Sequence, residues 1–363
     1  MAPPQDSFHK PNRLTSRQLI GGAVIIAALV FTWFGRRADS KEELLHVSGL
    51  AFTTIYQVKV VSSKLTEDSG VILKSAIDKE LQMVDATMSR FRDDSDIARF
   101  NSWVRTSPFQ ISSETAALLQ KAAYVSELTG GAFDVTVGPL VRLWGFYEKN
   151  ELTAEPDAGV VEKVRAKVGF QALDVDSKKP SLRKSRPDVD VDLSAVAKGY
   201  AVDRIAASLE HLGYENYLVE IGGETRARGH NDKNRTWRIG IEKPLMDKQE
   251  IFQIIELPNK SVATSGDYRK FYELSGRLVS HTIDPRDGRP IEHNLASVTV
   301  VHDECAIADA LATALTVLGP EKGFELAKRE KLPVLFITRE KDGTLVDRST
   351  PAFEQLRVSQ VNK

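Results

Sequence analysis

The sequence predicts an α+β fold with mostly antiparallel sheets, intervening helices and an N-terminal transmembrane helix. Short β-branched segments cluster, helical periodicity recurs at irregular intervals between them, and one long apolar run lies close to Met1. A regular βαβ array would alternate strand and helix more strictly. The chain also lacks G-x-G-x-x-G and G-x-x-x-x-G-K-[ST], so neither a Rossmann dinucleotide-binding unit nor a P-loop is predicted.

The composition is that of a folded protein of enzyme size. The 363 residues include 49 Lys and Arg against 50 Asp and Glu, a formal net charge of −1, and 42% are hydrophobic. This balance gives no electrostatic reason to expect nucleic acid as a partner. The single cysteine, Cys305, excludes an internal disulfide and a multi-cysteine metal site, and its apolar helical surroundings predict a small buried side chain.

An apolar run at residues 19–34 predicts a membrane anchor over 19–35. Neither a small-residue cleavage pattern nor a cysteine for lipidation follows the run, so an uncleaved single-pass anchor is favoured over a signal peptide. Basic residues are densest before it, which places residues 1–18 in the cytoplasm and the body in the periplasm of a bacterial inner membrane. A buried helix of the body is the alternative, but the run is terminal and apolar on every face.

The first half of the body combines one strand with three helices. Alternation of apolar and polar residues predicts a strand at 47–61, and an apolar stripe from Leu73 to Met88 predicts a long amphipathic helix. A short helix around 100–101 follows. The next helix, at 113–128, ends at Gly130 and Gly131, where glycine readily adopts a left-handed cap.

The segment 131–139 forms a turn that places Phe133 and Asp134 beside glycine-rich backbone. Such a turn could lie against a planar ligand, or it could be a plain helix-to-loop junction. The charged stretch that follows predicts a short helix at 158–168 and offers little evidence of function.

Residues 188–201 alternate acidic and apolar residues and then change to helical periodicity. This pattern predicts a strand that delivers Asp192 to a helix N-terminus near Ser194. Free amides and the positive end of the helix dipole favour an anion such as phosphate there, and Lys198 adds a charge one turn further on. Asp192 could equally act only as the helix cap.

Short strands dominate the remainder of the chain. They are predicted at 217–221, 225–228, 237–242, 251–256, 261–265, 278–283, 296–302 and 334–338, with helices at 303–318 and 320–328. Gly222 and Gly223 separate the first two strands, which predicts a tight turn or a close approach of a ligand.

The most informative stretch runs from His281 to residue 316. Asp303 is a plausible N-cap for the helix that follows, and Asp309 and Thr313 lie four residues apart, so their oxygens face the same side of that helix. Two hard oxygen donors on one face suit Mg²⁺, which binds carboxylates, hydroxyls and carbonyls and is often shared with substrate phosphates. The alternative is that both are ordinary polar helix residues.

Eight segments together resemble the ApbE family, the FAD:protein FMN transferases. They occur in the family's order at 88–91 with 95–101 (SDIARFN), 130–139, 192–201 (DLSAVAKGYA), 221–224 (IGGE), 263–268 (ATSGDY), 281–290 (HTIDPRDGRP), 296–300 and 308–313 (ADALAT). The resemblance implies an enzyme that splits the pyrophosphate of FAD, transfers FMN to a Ser or Thr hydroxyl of a target protein and releases AMP. It also implies that the acceptor is a flavoprotein subunit of an ion-pumping redox complex.

By resemblance, Asp309 and Thr313 would hold Mg²⁺ with the backbone carbonyl of Ala195. FAD contacts are implied at Phe91, Ala132, Phe133, Asp134, Asp192, Lys198 and Ile283. Phe52 would be a further flavin contact, although Phe52-Thr53-Thr54 replaces the Met-Gly-Thr usual in the family. The family's common N-terminal lipidated cysteine is also missing, which agrees with an uncleaved anchor.

These assignments give a catalytic domain at 45–350 and a C-terminal tail at 351–363. A Thr hydroxyl is a poor nucleophile, and His281 is the candidate base because its ordinary pKa lies near the operating pH and the turn at Asp284 would hold its strand end in place. A structural histidine is an equal alternative, and Asp284 could be a turn residue or a second metal ligand.

Three other functions remain open on the sequence. An FAD pyrophosphatase would use the same metal site but give FMN and AMP by transfer to water. A non-catalytic periplasmic flavin-binding protein would need the FAD contacts only, and an assembly protein of a redox complex would need neither. The Asp309 and Thr313 pair favours the two enzymes, because binding FAD alone gives no reason for a Mg²⁺ site.

Overall fold

The computed structural model describes residues 41–147, 152–245, 248, 250–266, 271–274 and 277–358. From Glu43 onward the chain forms one compact unit. The predicted anchor at 19–35 and the tail at 1–18 lie outside the described residues. Among the residues that are described, no helix is both long and apolar enough to cross a membrane.

An eight-stranded sheet is the centre of the fold, in the order β1-β2-β6-β7-β10-β15-β16-β17, and its described pairings are antiparallel. Smaller sheets are β3-β5-β4, β8-β9, β11-β12 and β13-β14. The strands are β1 (Glu43–Ala51), β2 (Thr54–Ser62), β3 (Phe109–Gln110), β4 (Leu173–Asp176), β5 (Ser181–Lys184), β6 (Asn216–Ile221), β7 (Glu224–Arg228), β8 (Arg238–Glu242), β9 (Ile251–Glu256), β10 (Ser261–Gly266), β11 (Phe271–Leu274), β12 (Arg277–Ser280), β13 (Ile283–Asp284), β14 (Arg289–Pro290), β15 (Leu295–His302), β16 (Val334–Arg339) and β17 (Leu345–Ser349).

The helices mostly match the predicted positions. They are α1 (Ser69–Met88), α2 (Asp96–Ser102), α3 (Ser113–Leu128), α4 (Gly138–Leu143), α5 (Ala158–Arg165), α6 (Ala197–His211), α7 (Cys305–Arg329) and α8 (Pro351–Glu354). Gly130 and Gly131 follow α3 with φ of 60° and 81°, so the predicted left-handed cap is confirmed.

Both faces of the large sheet are mostly buried in its inner strands, whereas the edge strands β1 and β17 are largely exposed. On one face, alternate residues such as Val219 and Phe336 join the main core beneath α1, α3, α6 and α7. On the other, their neighbours Leu218 and Leu335 pack under the β8-β9 hairpin with Trp237. Period-two alternation therefore separates two apolar layers rather than a core from solvent.

Three predicted strands differ from the structure. The strand at 47–61 is the hairpin β1-β2, because Phe52 and Thr53 adopt φ of 49° and 64° and form a two-residue loop. The strand at 278–283 is divided between β12 and β13. Residues 188–192 form no strand; instead the Asn101 side chain donates to the Val191 carbonyl (2.9 Å) and accepts from its amide (2.8 Å), as a neighbouring strand would.

The cap predicted for α7 is wrong. Asp303 is exposed and pairs with Lys260, while the amides of Cys305 and Ala306 donate to the two carboxylate oxygens of Asp203 at 2.9 Å each. Asp203 lies on α6, so the carboxylate that caps α7 comes from a residue distant in sequence. The prediction failed because the sequence shows only local candidates for a cap.

The described part of the predicted C-terminal tail, 351–358, belongs to the folded unit. Phe353 is fully buried in the second apolar layer, and the amide of Val358 donates to the Ile254 carbonyl at 3.1 Å. Helix α8 therefore closes the layer that contains the β8-β9 hairpin.

Candidate functional site

Helices α6 and α7 meet at Gly199, where their backbones come unusually close. A Cβ on Gly199 would lie 2.5 Å from the Cys305 carbonyl oxygen, so a larger residue would force the two helices apart. The contact brings the first turn of α6 against α7. There the Gly199 amide donates to Asp309 Oδ2 at 3.0 Å, which joins the two predicted halves of the site.

Of the predicted metal ligands, Asp309 is part of this contact, Thr313 lies one turn further along α7, and Ala195 lies four residues before Gly199. Asp309 is buried, and Thr313 is half-buried with its hydroxyl 3.2 Å from Ser265 Oγ. In a regular helix the Gly199 amide would donate to the carbonyl of Ala195, four residues earlier, but here it donates to Asp309. That leaves the Ala195 carbonyl able to accept another partner, as a metal ligand must.

The donor set fits Mg²⁺ by its chemistry. It offers a carboxylate, a hydroxyl and a carbonyl, all hard oxygen ligands, and such a site completes its coordination with water or substrate phosphate. In the part of the chain that the structure describes, no three His, Cys, Asp or Glu side chains gather as a metal site.

Lys198 lies beside these ligands. Its Nζ is 2.5 Å from Glu224 Oε1. Burial by itself would lower the pKa of Lys198, but the charges of Asp309 and Glu224 outweigh it and raise the pKa, so the ammonium stays charged. The predicted free amides at the start of α6 are partly used, because Ala197 donates to the Leu193 carbonyl and Gly199 to Asp309. Attraction for a phosphate there depends mainly on Lys198 and the helix dipole.

Glu224 is a site residue to which the sequence analysis gave no role. It begins β7 directly after the Gly222-Gly223 turn, and only 4% of its side chain is exposed. Its Oε2 is buried and has no hydrogen-bond partner among the described residues. Burial first, and the charge of Asp309 second, raise its pKa. The signals in the sequence were an acidic residue after two glycines and its place in the segment 221–224 (IGGE), one of the eight that resemble the ApbE family.

Asp192 closes a turn rather than capping the helix. Its Oδ1 accepts from the amide and hydroxyl of Ser194, and its Oδ2 accepts from Arg90 at 3.1 Å and from the Tyr147 hydroxyl. The N-cap of α6 is Val196, without a side-chain cap. Burial by itself would raise the pKa of Asp192, but these hydrogen bonds and the Arg90 charge lower it, so it is a carboxylate.

Arg90 and Tyr147 were also missed by the sequence analysis. The Arg90 guanidinium lies 3.7 Å from the centroid of the Tyr147 ring, and both hold Asp192. No local pattern connects Arg90 with an aspartate 102 residues later. Next to this cluster the predicted flavin contact Phe91 is 79% exposed, so its ring is open to a ligand.

The predicted contacts Ala132, Phe133 and Asp134 have buried side chains. The Asp134 carboxylate accepts from the amide and hydroxyl of Thr136 and from the Phe170 amide. Burial dominates these bonds and raises its pKa. Any contact between this turn and a ligand would therefore involve the backbone.

His281 and Ile283 lie next to the loop that follows α4. Ile283 is buried in a third apolar cluster, and half-buried His281 stands edge-on to Phe146 with ring centroids 6.3 Å apart. Phe146 is adjacent to Tyr147, so this loop connects His281 with the Asp192 cluster. Asp284 ends β13, and its carboxylate pairs with Arg286 and accepts from the Arg286 amide in the turn that follows.

Phe52 lies at the tip of the β1-β2 hairpin, half-buried against the main core. The neighbouring β6-β7 turn is held to this hairpin, because the Gly222 amide donates to the Ile55 carbonyl at 3.1 Å. Gly222 and Gly223 have φ of 59° and 106°, which confirms the predicted tight turn. Phe52 and Glu224 are thus placed by two adjoining turns.

Comparison with known proteins gives a consistent result. The sequence model described as "ApbE family" matches residues 52–336. A protein of Vibrio cholerae named FAD:protein FMN transferase is 42% identical over 305 residues, which cover 84% of this chain and 90% of that protein. A Haemophilus influenzae protein of the same name is 38% identical over 344 residues, covering 94% and 98%.

Solved structures agree with the sequence matches. The flavin transferase ApbE from Vibrio cholerae superposes with a TM-score of 0.78 at 40% identity, covering 87% of this chain and 99% of that one. The apo form of the flavinyl transferase ApbE from Pseudomonas stutzeri also gives 0.78, at 38% identity, covering 87% and 97%.

Proposed function

The chain belongs to the ApbE family, and from this premise we propose that it transfers the FMN part of FAD to a Ser or Thr hydroxyl of an acceptor protein and releases AMP. Relatives at 38–42% identity are named FAD:protein FMN transferases, which supports the reaction class. The proposal adds Mg²⁺ dependence, the hydroxyl acceptor and the AMP product.

One observation supports the proposal most strongly: the hydrogen bond from the Gly199 amide to Asp309, which joins α6 to α7. It supports a shared site, because Asp309 on α7 lies against the start of α6, where Lys198 is the neighbouring residue and Ala195 comes shortly before. Mg²⁺ bound by Asp309, Thr313 and the Ala195 carbonyl would neutralise charge on the pyrophosphate. A pyrophosphate carries the negative charge that both this metal site and Lys198 would attract.

The reaction would exchange one phosphorus–oxygen bond for another. The acceptor hydroxyl oxygen attacks the phosphorus on the FMN side of the pyrophosphate, and the bond from that phosphorus to the bridging oxygen breaks. AMP leaves with the bridging oxygen, and the hydroxyl proton passes to a base. Lys198 would orient the pyrophosphate and stabilise its charge, while Phe91 and the backbone at 132–134 would position the flavin.

His281 is the proposed base. A base next to the hydroxyl typically accelerates such a step by about 10²–10⁴-fold. The edge contact with Phe146 limits the rotation of the imidazole, and the loop containing Phe146 leads directly to Tyr147 and Asp192. This arrangement supports an imidazole that is held next to the loop that also carries Tyr147.

The proposal is tested by incubating the full chain with FAD, Mg²⁺ and an acceptor flavoprotein domain. We expect a gain of one FMN mass on a Ser or Thr of the acceptor by mass spectrometry, with an equal amount of AMP by chromatography. Omitting Mg²⁺ should abolish both signals. AMP with free FMN and an unmodified acceptor would instead indicate the FAD pyrophosphatase, and unchanged FAD under all conditions would overturn both enzymes.

A matched pair of substitutions tests the metal site. Asp309→Ala removes the only proposed carboxylate ligand and should abolish the transfer. Asp303→Ala changes an aspartate six residues earlier that is 73% exposed and pairs with Lys260, and it should retain the transfer. Equal activity in the two variants would contradict the assignment of Asp309.

We further propose the location and the partner. The apolar run at 19–34 would anchor the chain in a bacterial inner membrane with the catalytic domain in the periplasm. The acceptor would then be a flavoprotein subunit of an ion-pumping redox complex exposed on that side. Protease protection in sealed membrane vesicles of opposite orientation would test the topology.

A further inference from the structure

Half-buried Lys198 and buried Glu224 form an ion pair beside the proposed metal ligand Asp309. Lys198 Nζ lies 2.5 Å from Glu224 Oε1, and the next residue, Gly199, donates its amide to Asp309 Oδ2. The positive charge of Lys198 acts on both carboxylates. One ammonium therefore has two neighbouring anions with which it can pair.

This arrangement brings the Lys198 ammonium close to the place where a metal ion would bind Asp309. A divalent cation held by Asp309 and the Lys198 ammonium repel each other, and in a buried site such repulsion is screened far less than in water. Lys198 could also occupy the carboxylate that the cation needs. A second anion that keeps the ammonium away from Asp309 would remove both problems.

Glu224 has the geometry for this role. One of its oxygens already binds Lys198, and the other, Oε2, is buried without a hydrogen-bond partner among the described residues. A buried carboxylate oxygen normally has a donor. An ammonium has three donors, so Lys198 could shift fully onto Glu224 and use this second oxygen when a cation binds Asp309.

We propose that Glu224 is a positioning residue that holds Lys198 away from Asp309 and so keeps Asp309 available for the divalent cation. The inference rests on the proposed metal site and goes beyond it, because it assigns a role to a residue that is not itself a ligand. Without the charge of Glu224, Lys198 would pair with Asp309 and compete with the metal.

The test measures Mn²⁺ binding to the full chain by the electron paramagnetic resonance signal of free Mn²⁺. We expect Glu224→Gln, which preserves shape and removes charge, to weaken Mn²⁺ binding by about tenfold or more, the order expected for outer-shell partners of a metal site. Removing the competitor as well, in Glu224→Gln with Lys198→Met, should restore affinity to near that of the unsubstituted chain. Circular dichroism confirms that each variant is folded.

A matched control is Glu220→Gln on the same hairpin. Glu220 is half-buried and accepts only from the Gly223 amide among its described hydrogen bonds, so its loss should leave Mn²⁺ affinity unchanged. Two results would overturn the inference alone: Glu224→Gln binding Mn²⁺ as tightly as the unsubstituted chain, or the double variant remaining as weak as Glu224→Gln. Failure of the unsubstituted chain to bind Mn²⁺ would overturn the proposed metal site, and this inference with it.

Discussion

Gly199 is the residue on which the geometry of the site depends most directly. Its missing side chain allows α6 to approach the Cys305 backbone, and its amide binds Asp309. The charged residues around it can act together only at this helix separation. Glycine is a poor helix former, and Gly199 lies in the first turn of α6, so its use here reflects close packing rather than helix propensity.

Gly199→Ala should therefore damage both stability and the site. The new Cβ would lie 2.5 Å from the Cys305 oxygen, so we expect a loss of about 1–3 kcal/mol in the free energy of unfolding. Mn²⁺ affinity should fall because Asp309 and Ala195 separate. Urea unfolding and Mn²⁺ titration check the two effects.

Gly70→Ala in α1 is the control. The nearest atom to a Cβ at Gly70 is 3.9 Å away, so this substitution should leave stability equal or slightly higher. Equal effects of the two alanines would show that the close approach of the helices has no energetic importance.

Residues four apart on one helix were predictable, whereas partners on different segments were not. The spacing of Asp309 and Thr313 was enough to place them on one face. Glu224, Arg90 and Tyr147 join the site from β7, the turn after α1 and the loop after α4, respectively. Their roles depend on how those segments pack, which no local spacing contains.

At the level of elements, α7 contains a break that is stabilised from outside the helix. Gly319 has φ of 79°, and Pro320 has no amide to donate to the Thr316 carbonyl. The Nε2 of His293 donates to that carbonyl at 2.8 Å instead. His293 also packs against Gly319, where a Cβ would lie 2.8 Å from its ring. The two helices predicted at 303–318 and 320–328 are thus joined across a defined kink.

His293→Ala should destabilise the protein by about 1–3 kcal/mol, because it leaves a buried carbonyl without a donor. The shift in the midpoint of urea unfolding measures this loss. His46→Ala on the exposed side of β1 is the control and should change the free energy of unfolding by less than about 0.5 kcal/mol. If His293→Ala left the free energy of unfolding unchanged, water would have to satisfy the Thr316 carbonyl equally well, which would contradict the proposed role of His293.

At the level of the whole molecule, the large sheet lies between two apolar layers and contributes side chains to both. The layer beneath the helices carries the site, and the opposite layer is closed by the β8-β9 hairpin and α8. The C-terminal segment is consequently part of the support for the strands that position Glu224 and Ser265. Loss of the second layer should affect the site through these strands.

Phe353→Ala tests this support. The ring is fully buried, so we expect a loss of about 3–5 kcal/mol in the free energy of unfolding. Phe353→Leu retains much of the apolar volume and should lose clearly less. Denaturant unfolding monitored by tryptophan fluorescence would measure both, and equal stabilities of the two variants would contradict a packed second layer.

The family, the enzyme class and the α+β class with antiparallel sheets were predicted from the sequence and are confirmed. The predicted site residues, including His281 as base, and the anchor at 19–35 remain predictions. Helix lengths and the glycine turns could be predicted from the sequence, because they depend on local periodicity and on φ angles that favour glycine.

Only the tertiary structure decided how the local segments combine. The amides at the start of α7 bind Asp203 and not the predicted cap Asp303. The extended segment before α6 hydrogen-bonds to the Asn101 side chain and not to a neighbouring strand. Glu224 pairs with Lys198 across two segments distant in sequence. The physical reason is the same in each case. A buried amide or charge takes its partner from whichever segment packs against it, and packing between distant segments is fixed by the close contact at Gly199 and by the two apolar layers of the sheet.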